Sequence, residues 1–245
     1  MKNRKRLILA GIATFVIGLI ITFPARVAYQ WFAPGELKLS GINGSIWRGN
    51  AAQGTAGGVY LADVNWSFRP LGLLSGKLEF ASTSKLASGF FDSNVAVGIG
   101  GTLTFSDVTG ALTLDTLAGV LPLTGIEGDV SMQFERLIVE NGTPIEATGT
   151  LNIANLVSRY LSPTRLGDYK AEFQTQEGGI LGAVKSIRGV LELDGTIKLS
   201  RDRSYEFIGN VAATPAAPIN IAQQLRLLGS PDAQGKREFR IEGQL

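Results

Sequence analysis

The 245-residue sequence contains no cysteine and no histidine. The first absence excludes disulfides, thiolate nucleophiles and cysteine zinc sites; the second excludes a histidine general base and any Ser-His-Asp triad. Absent cysteines do not locate the protein, because disulfides are optional outside the cytosol. Charge is sparse as well, at 18% of residues, while 44% are apolar and 31 are glycine. That balance excludes disorder. The length suits one domain of β-sandwich or barrel size, or two small ones, and is enough to bury a real core.

Basic charge is concentrated at one end. Lys2, Arg4, Lys5 and Arg6 are four of the 23 basic residues, which leaves 19 against 21 acidic residues beyond position 23. The body is thus slightly acidic and carries no basic cluster interleaved with aromatics, so nucleic acid is excluded as an expected partner. After the basic flank, residues 7–23 run without a charge, and only Thr14 and Thr22 among them are polar. Leu7, Ile8, Phe15, Ile20 and Phe23 mark this segment as a membrane anchor, expected to span the bilayer over about residues 7–24. A cleaved signal peptide would have a shorter apolar region and a small-x-small cleavage site, whereas here Phe23-Pro24-Ala25-Arg26 follows. The positive flank places residues 1–6 in the cytoplasm and the remainder across the membrane. Tyr29, Trp31 and Phe32 then suit either the headgroup layer or a core-facing aromatic cluster.

Beyond residue 35 the dominant period is two. Val95, Val97, Ile99, Leu103 and Phe105 alternate with Gly98, Gly100, Thr102 and Thr104; Leu112 and Leu114, then Val130, Met132 and Phe134, do the same. In Leu191-Glu-Leu-Asp-Gly195-Thr-Ile-Lys-Leu199 the parity is unbroken, so Asp194-Gly195 lies within a strand and the turn falls at Ser200 to Arg203. Asn141-Gly142 reads as a turn, with Pro144 arguing against a central strand. A Gly-x-apolar-x-apolar unit recurs at Gly76, Gly101, Gly110, Gly149, Gly189 and Gly195, too irregularly for a solenoid. The fold class is mostly β: long antiparallel strands forming a curved sheet, roll or sandwich, with one transmembrane helix and one or two short helices. One short helix is predicted over about Pro218 to Leu228, ended by Gly229, and another over Ile153 to Leu161. Because the chain offers little helix to cover the strands, their apolar faces are expected to pack on one another. An unfilled groove would instead favour a lipid.

Motifs for catalysis fail on context. The segment Gly72 to Leu78 is one residue short of a phosphate-binding loop and has no helix after it. Ser82-Thr-Ser-Lys85 fits Ser-x-x-Lys, but the companion Lys-Thr-Gly and Ser-Asp-Asn elements are missing. Glu127/Asp129 and Asp202/Glu206 read as solvated strand ends rather than acid/base pairs or calcium ligands. Asn141-Gly-Thr143 matches a glycosylation acceptor, a pattern short enough to arise by chance. No catalytic residue, cofactor or metal is expected.

What remains is Gly41-Ile-Asn-Gly44-Ser-Ile-Trp47-Arg-Gly49, followed by Trp66-Ser-Phe-Arg-Pro70-Leu-Gly-Leu-Leu74-Ser-Gly76-Lys-Leu78. With the basic anchor, Gly142-Thr-Pro144, Gly149, Leu227 to Gly235 and Arg240-Ile-Glu-Gly243, these closely resemble the protein N family of the bacterial type II secretion system. The first Trp segment also looks like AsmA-type lipid-bridge proteins. The resemblance implies a non-enzymatic, single-pass inner-membrane protein with a periplasmic β-rich domain, an accessory or structural component of the machine that exports folded proteins. Its implied partners are the inner membrane and other secretion-system proteins, with lipid contact at most local. The corresponding organisation is an anchor over 1–25, an interfacial linker over 26–36 and a periplasmic domain over 37–245. Gly44, Trp47, Gly49, Trp66, Pro70, Leu74 and Gly76 are expected to be structural, with both tryptophans plugging the end of the β core.

Overall fold

The computed structural model describes residues 2–33, 35, 37–98, 101–117, 125–140 and 142–244. Two helices come first, α1 (Lys2–Ile21) and α2 (Ala25–Phe32). Pro24 separates them in an extended conformation, φ −67° and ψ 133°. α1 is apolar all round: Leu7, Leu9, Phe15 and Ile21 point to different sides at 100° per residue and are all more than 60% exposed. Among the described residues no helix is long and apolar enough to cross a membrane. The apolar helical run Leu7 to Ile21 rises about 22 Å, short of a hydrocarbon core of roughly 30 Å. The expected span to residue 24 is therefore cut short, because the helix stops ahead of Pro24.

The strands are β1 (Leu37–Ser40), β2 (Asn43–Gly44), β3 (Arg48–Ala56), β4 (Val59–Arg69), β5 (Leu78–Leu86), β6 (Gly89–Val97), β7 (Leu103–Thr113), β8 (Ile126–Glu140), β9 (Thr143–Ser158), β10 (Ser162–Gln176), β11 (Gly179–Gly189), β12 (Leu191–Ser200), β13 (Ser204–Ala213) and β14 (Arg237–Gln244). One further helix, α3 (Ile219–Leu225), lies between the last two. All strands belong to one antiparallel sheet; β3 to β14 pair in chain order, and β1 and β2 both pair with β3. Among the described residues no pairing joins β1 to β14. Of the three architectures allowed by the alternation, the open curved sheet is the one formed; sandwich and closed roll are not.

Curvature follows from what shares a cavity. Leu37 and Leu39 of β1 and Met132 of β8 line the same hollow. They are six strand steps apart, about 29 Å on a flat sheet at the usual spacing. The other half curls too, since Arg203 Nε, at the β12–β13 turn, donates to Thr143 Oγ1 at the start of β9, 2.8 Å away. Among the described residues two apolar clusters hold the first half together. One joins Ala25, Ile42, Ala51 and Val64 with Tyr29, Leu39, Leu61 and Trp66. The other joins Leu86, Leu112, Leu114 and Val130 with flanking residues from Val59 to Leu156. No large side chain is wholly enclosed among the described residues, as expected of a single layer.

Three bulges with left-handed backbones explain breaks of the period-two pattern on β4, β7 and β9. Asp63, Asp107 and Asn155 have left-handed backbones, with φ of 48°, 51° and 56°, which Asp and Asn tolerate better than most residues. The register shifts beside each. Each bulge flips strand parity: on β4 the inward residues are Val59 and Leu61 before it and Val64 and Trp66 after it. The same event corrects the helix expected over 153–161. That segment ends β9, and Ile153 and Leu156 reach the same cluster because Asn155 is an extra residue between them. Their three-residue spacing imitates a helix.

Some other expectations hold. Gly195 lies inside β12, where an added Cβ would come within 2.7 Å of the Ile208 carbonyl, and the turn falls at 201–203. The helix α3 continues as a 3-10 turn to Leu228 and ends at Gly229. The alternating run from Val95 to Phe105 is corrected from one strand to a hairpin: Val95 faces Phe105 and Val97 faces Leu103, while Ile99 and Gly100 lie outside the described residues. Asn141 of the expected turn also lies outside them. Pro144 is a further correction: expected to argue against a central strand, it sits at the second position of β9, which pairs with β8 and β10, near the strand start where the sheet tolerates it.

Candidate functional site: the helix junction and the apolar groove

The Trp and Gly residues singled out in the sequence meet where the helices join the sheet. Gly44 pairs with Gly49, and Gly49 with Trp66, across β2, β3 and β4. A Cβ on Gly49 would lie 2.4 Å from the Trp66 ring and 2.5 Å from the Asn43 carbonyl, so only glycine admits the indole there. The Trp66 indole N–H donates to the Ser45 carbonyl, at 3.2 Å. Trp47 does a different job from plugging the core. It is half-buried, its indole N–H donates to the Ile20 carbonyl of α1 at 2.7 Å, and its ring packs edge-on against Phe68 at 4.9 Å. Ile46 N–H donates to the Phe23 carbonyl, and Pro24 bridges to Ser45.

Pro70, Leu74 and Gly76 belong to the β4–β5 connection. Pro70 opens a 3-10 turn over Pro70–Ser75, and Gly76 closes it with φ 71°. Leu74 is 89% exposed. Of the anchor residues, Leu7, Ile8, Phe15 and Ile20 are exposed on α1, and Phe23 packs against Trp31 with ring centroids 5.9 Å apart.

From this junction an apolar groove of about 780 Å³ runs along the inner face of β1 and β3 to β8, within the roughly 300–1,000 Å³ range of small-ligand sites. The expectation of a self-packed face is therefore overturned: the sheet curls, but among the described residues no side chain fills its hollow. α2 forms one wall with Ala25, Ala28 and Tyr29. Tyr29 Oη fixes that wall by donating to the Leu37 carbonyl and accepting from Leu39 N–H, at 3.0 and 2.9 Å. Among the described residues no Asp, Glu, Lys or Arg lines the groove. Its polar spots are Ser82, Ser84 and Ser93; Ser82 and Ser93 face each other across β5 and β6. Ser84 donates to the Phe91 carbonyl, whereas the buried Ser93 hydroxyl has no hydrogen-bond partner among the described residues. The α2 wall was missed in the sequence, although Ala25, Ala28 and Tyr29 have the three-and-four spacing of a helix face.

Polar chemistry lies elsewhere. Ser82 faces the groove while Lys85 pairs with Asp63 at 2.8 Å in a polar hollow on the opposite face, so the Ser-x-x-Lys match makes no dyad. Glu127 pairs with Arg159, Asp129 accepts from Asn155, Asp202 caps Ser204 and Glu206 pairs with Arg240. Each of these carboxylate pairs is thus divided among separate partners, in keeping with their reading as strand ends and turns. The most buried carboxylate, Asp168, accepts from Arg165, Arg188 and the Asn155 amide, and ties β10 to the bulge on β9 and to β11. Hydrogen bonds from Arg165, then from the Asn155 amide and Arg188, hold its pKa far below the ordinary 3.8. Burial pushes the neighbouring Tyr169 up to about 12, helped by the Asp168 charge. Among the described residues no cluster of metal-ligating side chains occurs.

A family model for type II secretion system (T2SS) protein N matches residues 35–240. The chain belongs to that family. Among curated members of the protein N family, type II secretion system protein N of Vibrio cholerae serotype O1 (strain ATCC 39315 / El Tor Inaba N16961) is 28% identical over 244 residues, covering 93% of each chain. Type II secretion system protein N of Aeromonas hydrophila is 22% identical over 253 residues, covering all of both. No solved structure matches significantly. The family match begins just before β1 and ends within β14, so it takes in β1 to β13, the first half of β14 and most of the groove but not α1 and α2.

Proposed function

We propose that this member of the protein N family is a non-enzymatic accessory subunit of the type II secretion system. It is held in the inner membrane by α1 with residues 1–6 in the cytoplasm, and it acts by contact through a periplasmic sheet over 37–245. Residues 26–36 form the interfacial linker. Support for the anchor comes from α1 itself, which is apolar on every side, leaves its large apolar side chains from Leu7 to Ile21 exposed and follows a run of basic charge; such a helix is stable in lipid and costly in water. Gly44, Trp47, Gly49 and Trp66 act structurally, fastening α1 and α2 to the sheet edge. The contact reading is carried by membership of the protein N family, whose curated members are named as type II secretion system proteins. The groove on the inner face offers apolar side chains with no ionisable group to do chemistry, which supports a non-enzymatic role.

The same groove favours a second reading, in which the apolar lining holds one acyl chain of a membrane lipid. It opens beside α2, the element next to the anchor, and the unpartnered Ser93 hydroxyl gives it a polar point. Native mass spectrometry of the full chain, released from detergent micelles, separates the two. The contact reading expects a bare chain; one phospholipid retained per chain, lost on Val95→Trp, establishes the lipid reading instead.

A further inference from the structure

We propose that the β4–β5 connection is a second membrane-contacting element, seated in the headgroup and upper acyl region of the bilayer beside the anchor. This rests on the reading of α1 as the anchor. The 3-10 turn Pro70–Ser75 carries Leu71, Leu73 and Leu74, which are 77, 54 and 89% exposed. Three leucines in four residues, all turned to solvent, form a patch that the sheet does not use. Leu78 and Val97, opposite each other at the adjoining ends of β5 and β6, extend it and are 46 and 44% exposed.

The position of the patch points to lipid rather than to a protein. Trp47 donates through its indole to Ile20, one residue from the end of α1, and accepts from the Phe68 amide at 2.6 Å through its carbonyl. The leucine turn begins two residues after Phe68. At about 3.3 Å per residue, Leu71 lies within roughly 10 Å of Phe68, whose ring packs on the Trp47 indole that is bonded to the end of α1. The turn therefore lies on the same side of the sheet end as the Trp47–Phe68 pair that holds the end of α1. The turn has the form that shallow insertion needs. Pro70 and the left-handed Gly76 fold it tightly, with Gly76 N–H donating to Leu73 and Lys77 N–H to Gly72, so the leucine side chains are directed outward. Arg48 and Lys77 are exposed at the same end, and Arg69 pairs with Glu79 at 3.5 Å. Exposed cations at an apolar rim suit anionic headgroups. Two separated contacts, anchor and turn, would fix the tilt of the sheet over the membrane, which a single helix leaves free.

The absence of cysteine makes the test direct. Single-cysteine variants of the full chain, Leu74→Cys, Phe15→Cys and Ser88→Cys, are labelled with an environment-sensitive fluorophore and reconstituted in vesicles of phosphatidylethanolamine and phosphatidylglycerol. Quenching by lipids spin-labelled near the headgroup or deep in the acyl chain is then read. The proposal expects position 74 to shift to the blue and be quenched by the shallow label, position 15 by the deep label, and position 88, at the other end of the sheet, by neither. Emission from position 74 that stays that of water, or that shifts without lipid quenching, while position 15 is quenched, overturns the membrane contact and leaves the anchor standing. An unquenched position 15 removes the anchor and the inference with it.

Discussion

Adding one methyl group at Gly49 tests the packing of the helix junction. The new Cβ of Gly49→Ala would stand 2.4 Å from the Trp66 ring and 2.5 Å from the Asn43 carbonyl. Neither neighbour yields easily, since one is a ring held by its own hydrogen bond to Ser45 and the other is backbone. Such overpacking costs about 1–3 kcal/mol. Alanine also narrows the unfolded ensemble, which returns about 0.4–1 kcal/mol where the backbone permits it. Strain wins, leaving a net loss of about 1–2 kcal/mol. For a chain of this size that is a fall of about 2–8 °C in Tm, read by far-ultraviolet circular dichroism of the full protein in detergent. Gly98→Ala is the control, because its Cβ would meet nothing nearer than 3.4 Å, so it should leave Tm within a degree or two or raise it. Trp66→Ala removes a half-buried ring and should cost about 2–3 kcal/mol, below the roughly 3–5 kcal/mol of a fully enclosed one. In that background Gly49→Ala should cost less than it does alone, since only the carbonyl clash remains. Strict additivity of the two losses, or an unchanged Tm for Gly49→Ala, would refute the close approach of Trp66 to Gly49.

Three further outcomes are expected. The depressed Asp168 carboxylate contributes stability that is complete above its unfolded pKa near 3.8 and is lost as pH falls through and below that value; Asp168→Asn should therefore be less stable at neutral pH and show a flatter acid limb in unfolding scans from pH 6 to 2. Trp47→Ala should loosen α1 and α2 from the sheet and speed tryptic cleavage after Arg26 while leaving the sheet's circular dichroism intact; an unchanged cleavage rate would count against Trp47 as the brace. Ser204→Cys should react with a membrane-impermeant thiol reagent in intact spheroplasts, and protection there would reverse the proposed orientation.

Strand parity made much of the sheet legible before any coordinates. The unbroken alternation from Leu191 to Leu199 placed Gly195 inside β12, and the helix ended by Gly229 came from its own periodicity and stop signal. Two things were hidden. A bulge is one residue with a left-handed backbone, and Asp63, Asp107 and Asn155 look like any polar residue on a strand; yet each reverses which later residues face inward, and at Asn155 the reversal reads as a helix. Alternation also says which face is apolar without saying what covers it, so a self-packed core and an open groove share one pattern. At the junction the motif residues could be named, but the bond from Trp47 to Ile20 joins positions 27 apart, and no local spacing announces it.

Residue-specific photo-crosslinking in actively secreting cells tests most directly whether the open inner face is the working surface. A photoreactive side chain at Val95 points into the groove, and one at Asp92 points into the polar hollow on the opposite face. Acting by contact through the groove, the protein should yield adducts with another secretion-system component from position 95 and not from position 92. Adducts from position 92 alone would contradict it.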